Sequence, residues 1–250
     1  MNKEEYLHDG ERIDDLQRNG LYIIQNPEKF CFGMDAVLLS GFAAEHLGKG
    51  KKNILDLCSG GGIIPLLLSA KTDVGHITGI ELQEDMADMA GRSVKLNGLG
   101  SVIEILENDL RKAAGVIPAA SFDAVTVNPP YFKSGHGIIN PDDAKTIARH
   151  EVSCTLEDVL ETACFALKEG GVFYMVHKPQ RLSDIICSMR QSKLEPKTLK
   201  TVHPRKDAEP SMILIEGRKG GGSELRIEKP LIIYGEDGKY TKEMYTIYGY

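Results

Sequence analysis

Asn128-Pro129-Pro130-Tyr131 is the stretch with the most definite chemistry in this chain. Asparagine offers an amide oxygen. The prolines offer backbone carbonyls and have no N–H to compete for them, and tyrosine offers a flat aromatic face. This set suits a planar group that carries an NH2. The Asn128 oxygen and the Pro129 carbonyl accept its two hydrogens, and Tyr131, or Phe132 after it, stacks on its plane. A second candidate group is Ser59-Gly60-Gly61-Gly62, followed by an apolar run through Ala70. Glycines there let a ligand approach the backbone at a helix N-terminus. Glu81, about 20 residues on, is placed to take both hydroxyls of a ribose. Asp109 is placed to accept from the amino group of an adenine. Asp35 is the acid to watch ahead of them.

These groups need elements that bring them to one edge. Phe122–Val127 reads as a strand buried on both faces, and the two prolines stop it at its carboxyl end, where open α/β sheets bind ligands. Asn53–Cys58, His76–Leu82 and Val102–Asp109 read as three further strands. Each carries a candidate residue at the same end: Asp56 and the glycines, Glu81, and Asp109. Pro65 fits only the first turn of the helix after the glycines. A helix over Asp85–Asn97 is stopped by Asn97-Gly98, and Asp35 is read as the cap of a buried helix through Ala44. Thr155–Leu167 is a helix with Asp158 reaching back to its cap. Val172–Val176, Leu199–Val202 and Met212–Glu216 are later strands, with a helix marked by Leu182, Ile185, Ile186 and Met189 between the first two. Phe132–His150 has no period and reads as a long functional loop with a basic side.

The expected fold is therefore α/β: a mostly parallel sheet with helices on both faces. Residues 1–50 are read as a cover segment and helix of the same domain, 51–219 as the core, and 220–250 as a tail after a flexible Gly220-Gly221-Gly222 joint.

Composition narrows the function classes. Of 250 residues, 42% are hydrophobic and 26% charged, an ordinary globular balance, and no apolar run approaches the length that spans a bilayer. No leader pattern opens the chain. Five cysteines stand far apart without a Cys-x-x-Cys, which argues against zinc and a disulfide framework and for a reducing, cytoplasmic setting. The net charge of −6 counts mildly against a nucleic-acid partner. Yet Lys178–Asp207 holds eight basic residues against three acidic ones, and the local field decides what docks. The same stretch is equally readable as a solvated face.

Two nucleotide cofactors compete for the glycine turn. A dinucleotide fingerprint wants a small third residue where this chain has Pro65. Tyr174 and Lys178 have the Tyr-x-x-x-Lys spacing of short-chain dehydrogenases, but on a β stretch they stand roughly 13 Å apart, so the match is coincidental. The pattern present, Asp56-x-x-x-Gly60-x-Gly62, resembles motif I of class I S-adenosylmethionine-dependent methyltransferases. With Asn128-Pro129-Pro130-Tyr131 it looks like the N-P-P-Y group that methylates exocyclic NH2 of adenine or guanine, or glutamine amide.

Further residues resemble the bacterial tRNA1(Val) adenine N6-methyltransferases over nearly the whole chain: Arg12–Leu16, Ile24-Gln25, Phe30–Leu39, Pro230–Tyr234 and Gly238–Thr241. That resemblance implies a class I methyltransferase fold with a seven-stranded, Rossmann-like sheet. It implies S-adenosylmethionine as donor, held at Asp56, Cys58, Gly60, Gly62, Glu81, Leu82, Asp109, Leu110 and Asn128, with Asp35 closing the pocket. Asn128, Pro129, Pro130 and Tyr131 form the implied catalytic group. The implied acceptor is the single-stranded anticodon-loop adenosine just 3′ of the anticodon, met by Tyr131, Phe132, Lys133, Lys178 and Arg181. Neither a metal, a membrane nor an obligate protein partner is called for. Release-factor glutamine methylation is the runner-up, although those enzymes carry a longer helical N-terminal domain. Guanine N2 methylation of ribosomal RNA is third, since that group tends to have Phe where this chain has Tyr131.

Overall fold

The computed structural model describes residues 3–130 and 154–249. Tyr131, Phe132, Lys133 and the rest of the expected basic loop lie outside them. A hairpin comes first, β1 (Arg12–Asp15) and β2 (Tyr22–Gln25), then helix α1 (Met34–His46). Strands and helices alternate from there: β3 (Asn53–Leu57), α2 (Ile63–Lys71), β4 (His76–Glu81), α3 (Glu84–Leu96), β5 (Ile103–Glu107) and β6 (Phe122–Val127). After the undescribed stretch come α4 (Leu156–Ala166), β7 (Leu167–His177), α5 (Leu182–Gln191), β8 (Leu194–His203) and β9 (Met212–Lys219). Two-residue strands β10 (Arg226–Ile227) and β11 (Leu231–Ile232) and helix α6 (Lys242–Tyr248) close the chain.

The main sheet has the order β10-β8-β9-β7-β6-β3-β4-β5, with β11 also on β8. β3 to β7 are mutually parallel, while β9 runs antiparallel to both β7 and β8. Seven long strands match the expected architecture. The two short ones extend it to nine by covering the free edge of β8. Edge coverage of this kind blunts an otherwise open ladder.

The near-continuous apolar strands follow from two cores. Ile54, Ala124, Tyr174 and Leu214 face α1 and α2, while their neighbours Leu55, Val125, Phe173 and Ile213 face α4 and α5. Alternate side chains of a strand leave opposite faces, so a strand with a core on each face has no polar side. Met244 of α6 is fully buried in the first core, which ties the chain's last helix to it.

Several boundaries differ from expectation for identifiable reasons. Gly33, not Asp35, is the N-cap of α1, and Asp35 sits in the first turn, accepting from the Ala36 amide at 2.9 Å. β7 begins at Leu167 rather than Val172, with Gly170 at φ +73°. β8 begins at Leu194 rather than Leu199, because a register shift between Pro196 and Thr198 lets the ladder pass the proline. Gly220-Gly221-Gly222, read as a flexible joint, is tied down: Gly220 and Gly221 donate to the Lys193 and Arg218 carbonyls, and Lys197 Nζ donates to the Gly222 carbonyl.

The hairpin has no antecedent in the sequence reading. It lies on α3: the Ile24 amide donates to Ser93 Oγ at 2.9 Å, and Asn97 bonds both the amide and the carbonyl of Tyr22. Arg92, paired with Glu11 at 2.6 Å, pins the segment before β1 to the same helix.

Candidate functional site

β3, β4 and β6 are parallel neighbours, so the segments that follow them emerge at one edge. There the glycine turn, the Asn128 hook and the covering hairpin enclose a cleft. Its lining includes Ile24, Gln25, Phe30, Phe32, Cys58, Gly60, Met86 and Asn128.

The turn is built from unusual backbone. Cys58, Gly60 and Gly62 have φ of +56°, +55° and +81°. Gly62 caps α2, and a Cβ there would stand 3.1 Å from that of Ala90. Cys58 holds a left-handed conformation that L side chains seldom adopt, a strain that tends to gather at functional sites. The Ser59 amide donates to the Ile80 carbonyl at 3.0 Å, stitching the turn to β4.

Glu81 ends β4 at 6% exposure. Its carboxylate accepts from the Gly60 amide at 2.8 Å and from the Gln83 amide at 2.9 Å. Each oxygen retains a second lone pair, so the acid braces the turn and still has capacity for a ligand hydroxyl.

Asp56 departs from the expected direct contact with the donor. It is fully buried and absent from the cleft lining. Its carboxylate instead accepts from Ser59 Oγ at 2.8 Å and Thr126 Oγ1 at 2.6 Å. Burial pushes it up to about 7 against those two hydrogen bonds, with Glu81 adding to the rise. Asp56 thus acts from beneath the site, between the glycine turn and the strand that leads to Asn128.

Asp109 also differs from expectation. It caps the short 3-10 helix Leu110–Gly115, accepting from the Arg111 amide at 3.0 Å, and pairs with the Arg111 guanidinium at 2.6 Å. That guanidinium holds its carboxyl below the usual range. Leu110 beside it is buried, and Leu82 is exposed after β4. Asp35 stays partly buried at the start of α1, one residue before Ala36, which lines the cleft.

Asn128 stands at the carboxyl end of β6 and lines the cleft, with Pro129 buried and Pro130 exposed behind it. Lys178 follows the parallel neighbour β7 at the same end and is exposed. Arg181, in the next turn, pairs with Asp184 at 2.7 Å. Neither reaches the cleft lining. Tyr131, Phe132 and Lys133 are outside the described residues.

The expected cover segment does roof the cleft through Phe30 and Phe32, while sequence reasoning missed the side chains that hold it there. Gln25 is 6% exposed and bridges Asp14 to the Phe32 amide, which it meets at 3.0 Å. Lys29 pairs with Asp85 in the first turn of α3. The signal available was Phe30-Cys31-Phe32, too apolar for a loose tail.

The cleft fits a nucleoside-bearing sulfonium donor. Gly60 and Gly61 leave room on the turn, Glu81 braces that turn through the Gly60 amide, and aromatic and thioether side chains line a wall that tolerates a soft cation. The Cys58 thiol is pushed up, first by its hydrogen bond to Cys154 and then by desolvation, so it stays protonated and does not act as a nucleophile. Among the described residues, no group of three or more His, Cys, Asp or Glu side chains is placed to hold a metal, and no helix is long and apolar enough to cross a membrane.

Comparison with known proteins agrees with this geometry. A family described as Methyltransferase small domain matches residues 33–192. A tRNA1(Val) (adenine(37)-N6)-methyltransferase of Porphyromonas gingivalis is 29% identical over 216 residues, 84% of each chain. Its namesake in Proteus mirabilis is 32% identical over 145 residues, 58% of this chain and 55% of that one. A solved structure described as a predicted O-methyltransferase from Agrobacterium tumefaciens superposes with a TM-score of 0.70 at 24% identity, covering 86% of this chain and 96% of that one. This last likeness supports the fold.

Proposed function

The chain belongs to the methyltransferase small domain family, and on that premise we propose that it transfers a methyl group from S-adenosylmethionine to the exocyclic N6 of a tRNA adenosine, the one just 3′ of the anticodon. The observation that carries the reading is Asn128 lining the same cleft as Gly60 and Gly61. An amide that can grip an NH2 thereby faces a turn that can seat the donor. The curated relatives bearing the tRNA1(Val) (adenine(37)-N6) name supply the acceptor.

The donor, when bound, supplies an electrophilic methyl on a sulfonium. Gly60 and Gly61 leave its backbone approach open, and Glu81 offers lone pairs to the ribose. Asn128 and the Pro129 carbonyl accept the two hydrogens of the adenine amino group. Its lone pair is otherwise shared with the ring, and holding both hydrogens turns it out of the plane toward the methyl. This is positioning and electrostatic work. Tyr131 or Phe132 stacks on the splayed base, and Lys133, Lys178 and Arg181 attract RNA phosphate. The tRNA is the proposed macromolecular partner, and the cytoplasm, where tRNA is modified, the proposed location.

Glutamine methylation shares the N-P-P-Y grip. Residues 12–46 hold a hairpin and a helix packed on the sheet domain, and the tRNA names of the relatives support RNA over glutamine. The test incubates the protein with labelled S-adenosylmethionine and unmodified total tRNA, then digests to nucleosides. Label in N6-methyladenosine is expected. Donor binding without label in tRNA would redirect the assay to release factors and ribosomal RNA.

A further inference from the structure

A second cavity lies at the other end of the sheet. Its volume is about 440 Å³, and His46, Thr198, Glu216, Arg218, Leu225 and Arg226 line it. β9 is antiparallel to β7, and Arg218 near its end pairs in register with Val172, whereas Val127, one residue before Asn128, pairs with Met175 further along β7. The cavity therefore opens away from the catalytic cleft.

Glu216 in the lining and Tyr174 on the neighbouring strand are buried polar groups without partners among the described residues. Glu216 is 6% exposed, and among the described residues its carboxylate makes no hydrogen bond or ion pair. Tyr174, its register partner on β7, is fully buried, and its hydroxyl has no hydrogen bond. Burial, and then the Glu216 charge, push that phenol's ionisation upward. Native proteins seldom leave such groups unmatched, since a carboxylate withdrawn from water needs a donor. The cations around the cavity are unequally engaged. Arg226 pairs with Glu228 at 2.7 Å, and His46 bonds the Phe42 carbonyl and Glu228. Arg218 is exposed and has no ion pair among the described residues.

Lys197, which donates to the Gly222 and Ser223 carbonyls, and the exposed Glu224 complete the charged lining, while Glu216 and Arg218 are a buried acid and a cation without ion pairs among the described residues. They lie two residues apart on one strand, hence on one face and about 7 Å apart along it. We propose that this cavity binds a free α-amino acid, with its ammonium on Glu216 and its carboxylate on Arg218. A guanidinium takes a carboxylate in a forked pair. A lone cation entering would face Lys197, Arg218 and Arg226, and a lone anion would face Glu216 and Glu224. A zwitterion matches both, and Leu225 gives its side chain an apolar wall.

The test is thermal unfolding of the full chain in millimolar free amino acids, one at a time. Propylamine and propionate serve as half-ligands at the same concentration. At least one amino acid should raise the midpoint by about 3 °C, while neither half-ligand does. Arg218→Gln, at an exposed position, should fold normally and lose the response, and Glu216→Gln should lose it too. If no amino acid shifts the midpoint, or a half-ligand shifts it equally, the proposal fails. A response that survives in both variants belongs to another site and overturns it as well. None of these outcomes depends on the methyl-transfer reading.

Discussion

Thr126 Oγ1 donates to Asp56 Oδ1 at 2.6 Å, and the two residues are direct register partners in adjacent parallel strands. Asp56 Oδ2 accepts from Ser59 Oγ in the glycine turn, and Thr126 lies two residues before Asn128. One buried carboxylate therefore links the backbone proposed to seat the donor to the strand that carries the proposed acceptor grip. In the proposed reaction, methyl transfer depends on the separation of those two parts.

Thr126→Val keeps the shape and removes the hydroxyl. Small misplacement of reacting groups is costly, so turnover should fall about tenfold or more while donor affinity stays within about twofold. Thr126→Ser should restore turnover. Titrating the donor and measuring single-turnover rates separates the two effects. Unchanged turnover in the valine variant would dissolve the link.

Asn128→Ala should keep donor binding and lose turnover by about 100-fold or more, the scale of removing one preorganised catalytic contact. The fold should survive, because Asn128 lines the cleft rather than either core.

Asp56 also gives a pH signature in stability. Its folded value is about 7, against 3.8 ordinarily. Between those values the folded chain keeps a proton that the unfolded chain has released, so stability falls as pH rises and levels off above about 7. Over about three pH units this amounts to at most about 4 kcal/mol. His177, pushed down to about 4 by burial, works in the opposite direction below pH 6.5. Lys71, pushed down to about 7 by burial and then by Arg18, adds stability only as pH rises above that. Asp56→Asn removes one slope and leaves the others. The difference between wild type and variant in urea midpoints from pH 5 to 8 should therefore decline as pH rises, and a flat difference would refute the assignment.

Gly79→Ala tests how tightly the turn is braced. A Cβ there would stand 2.7 Å from Ser59 Oγ and 2.8 Å from Ile105 Cδ1. Overpacking of this kind costs about 1–3 kcal/mol. Because Ser59 must move, donor affinity should fall as well. Calorimetry of unfolding together with donor titration reads both, and a variant with native stability and affinity would show that the turn can yield.

Much of the sheet was legible because its signals are local. Phe122–Val127 is apolar throughout and ends on two prolines, and the observed β6 has those same bounds. Thr155 with Asp158 forms the capping box that their spacing suggested. The hairpin was not legible: β1 and β2 are four residues each, and their partners on α3, Ser93 and Asn97, lie about 70 positions further along. The start of β8 was hidden by Pro196, whose place in the ladder depends on a bulge that pairing with β9 creates.

The sequence by itself determined the architecture and the chemistry on offer. Strand periodicity, glycine turns and proline stops are short-range properties, and the residue types at the strand ends follow from them. Tertiary structure alone decided what each acid does. Asp56, Glu81 and Asp109 look alike along the chain. Folding buries the first between two hydroxyls, braces the second against the glycine turn and hands the third to Arg111. Those roles depend on desolvation and on which donors lie within 3 Å, and neither is defined until distant segments have packed together.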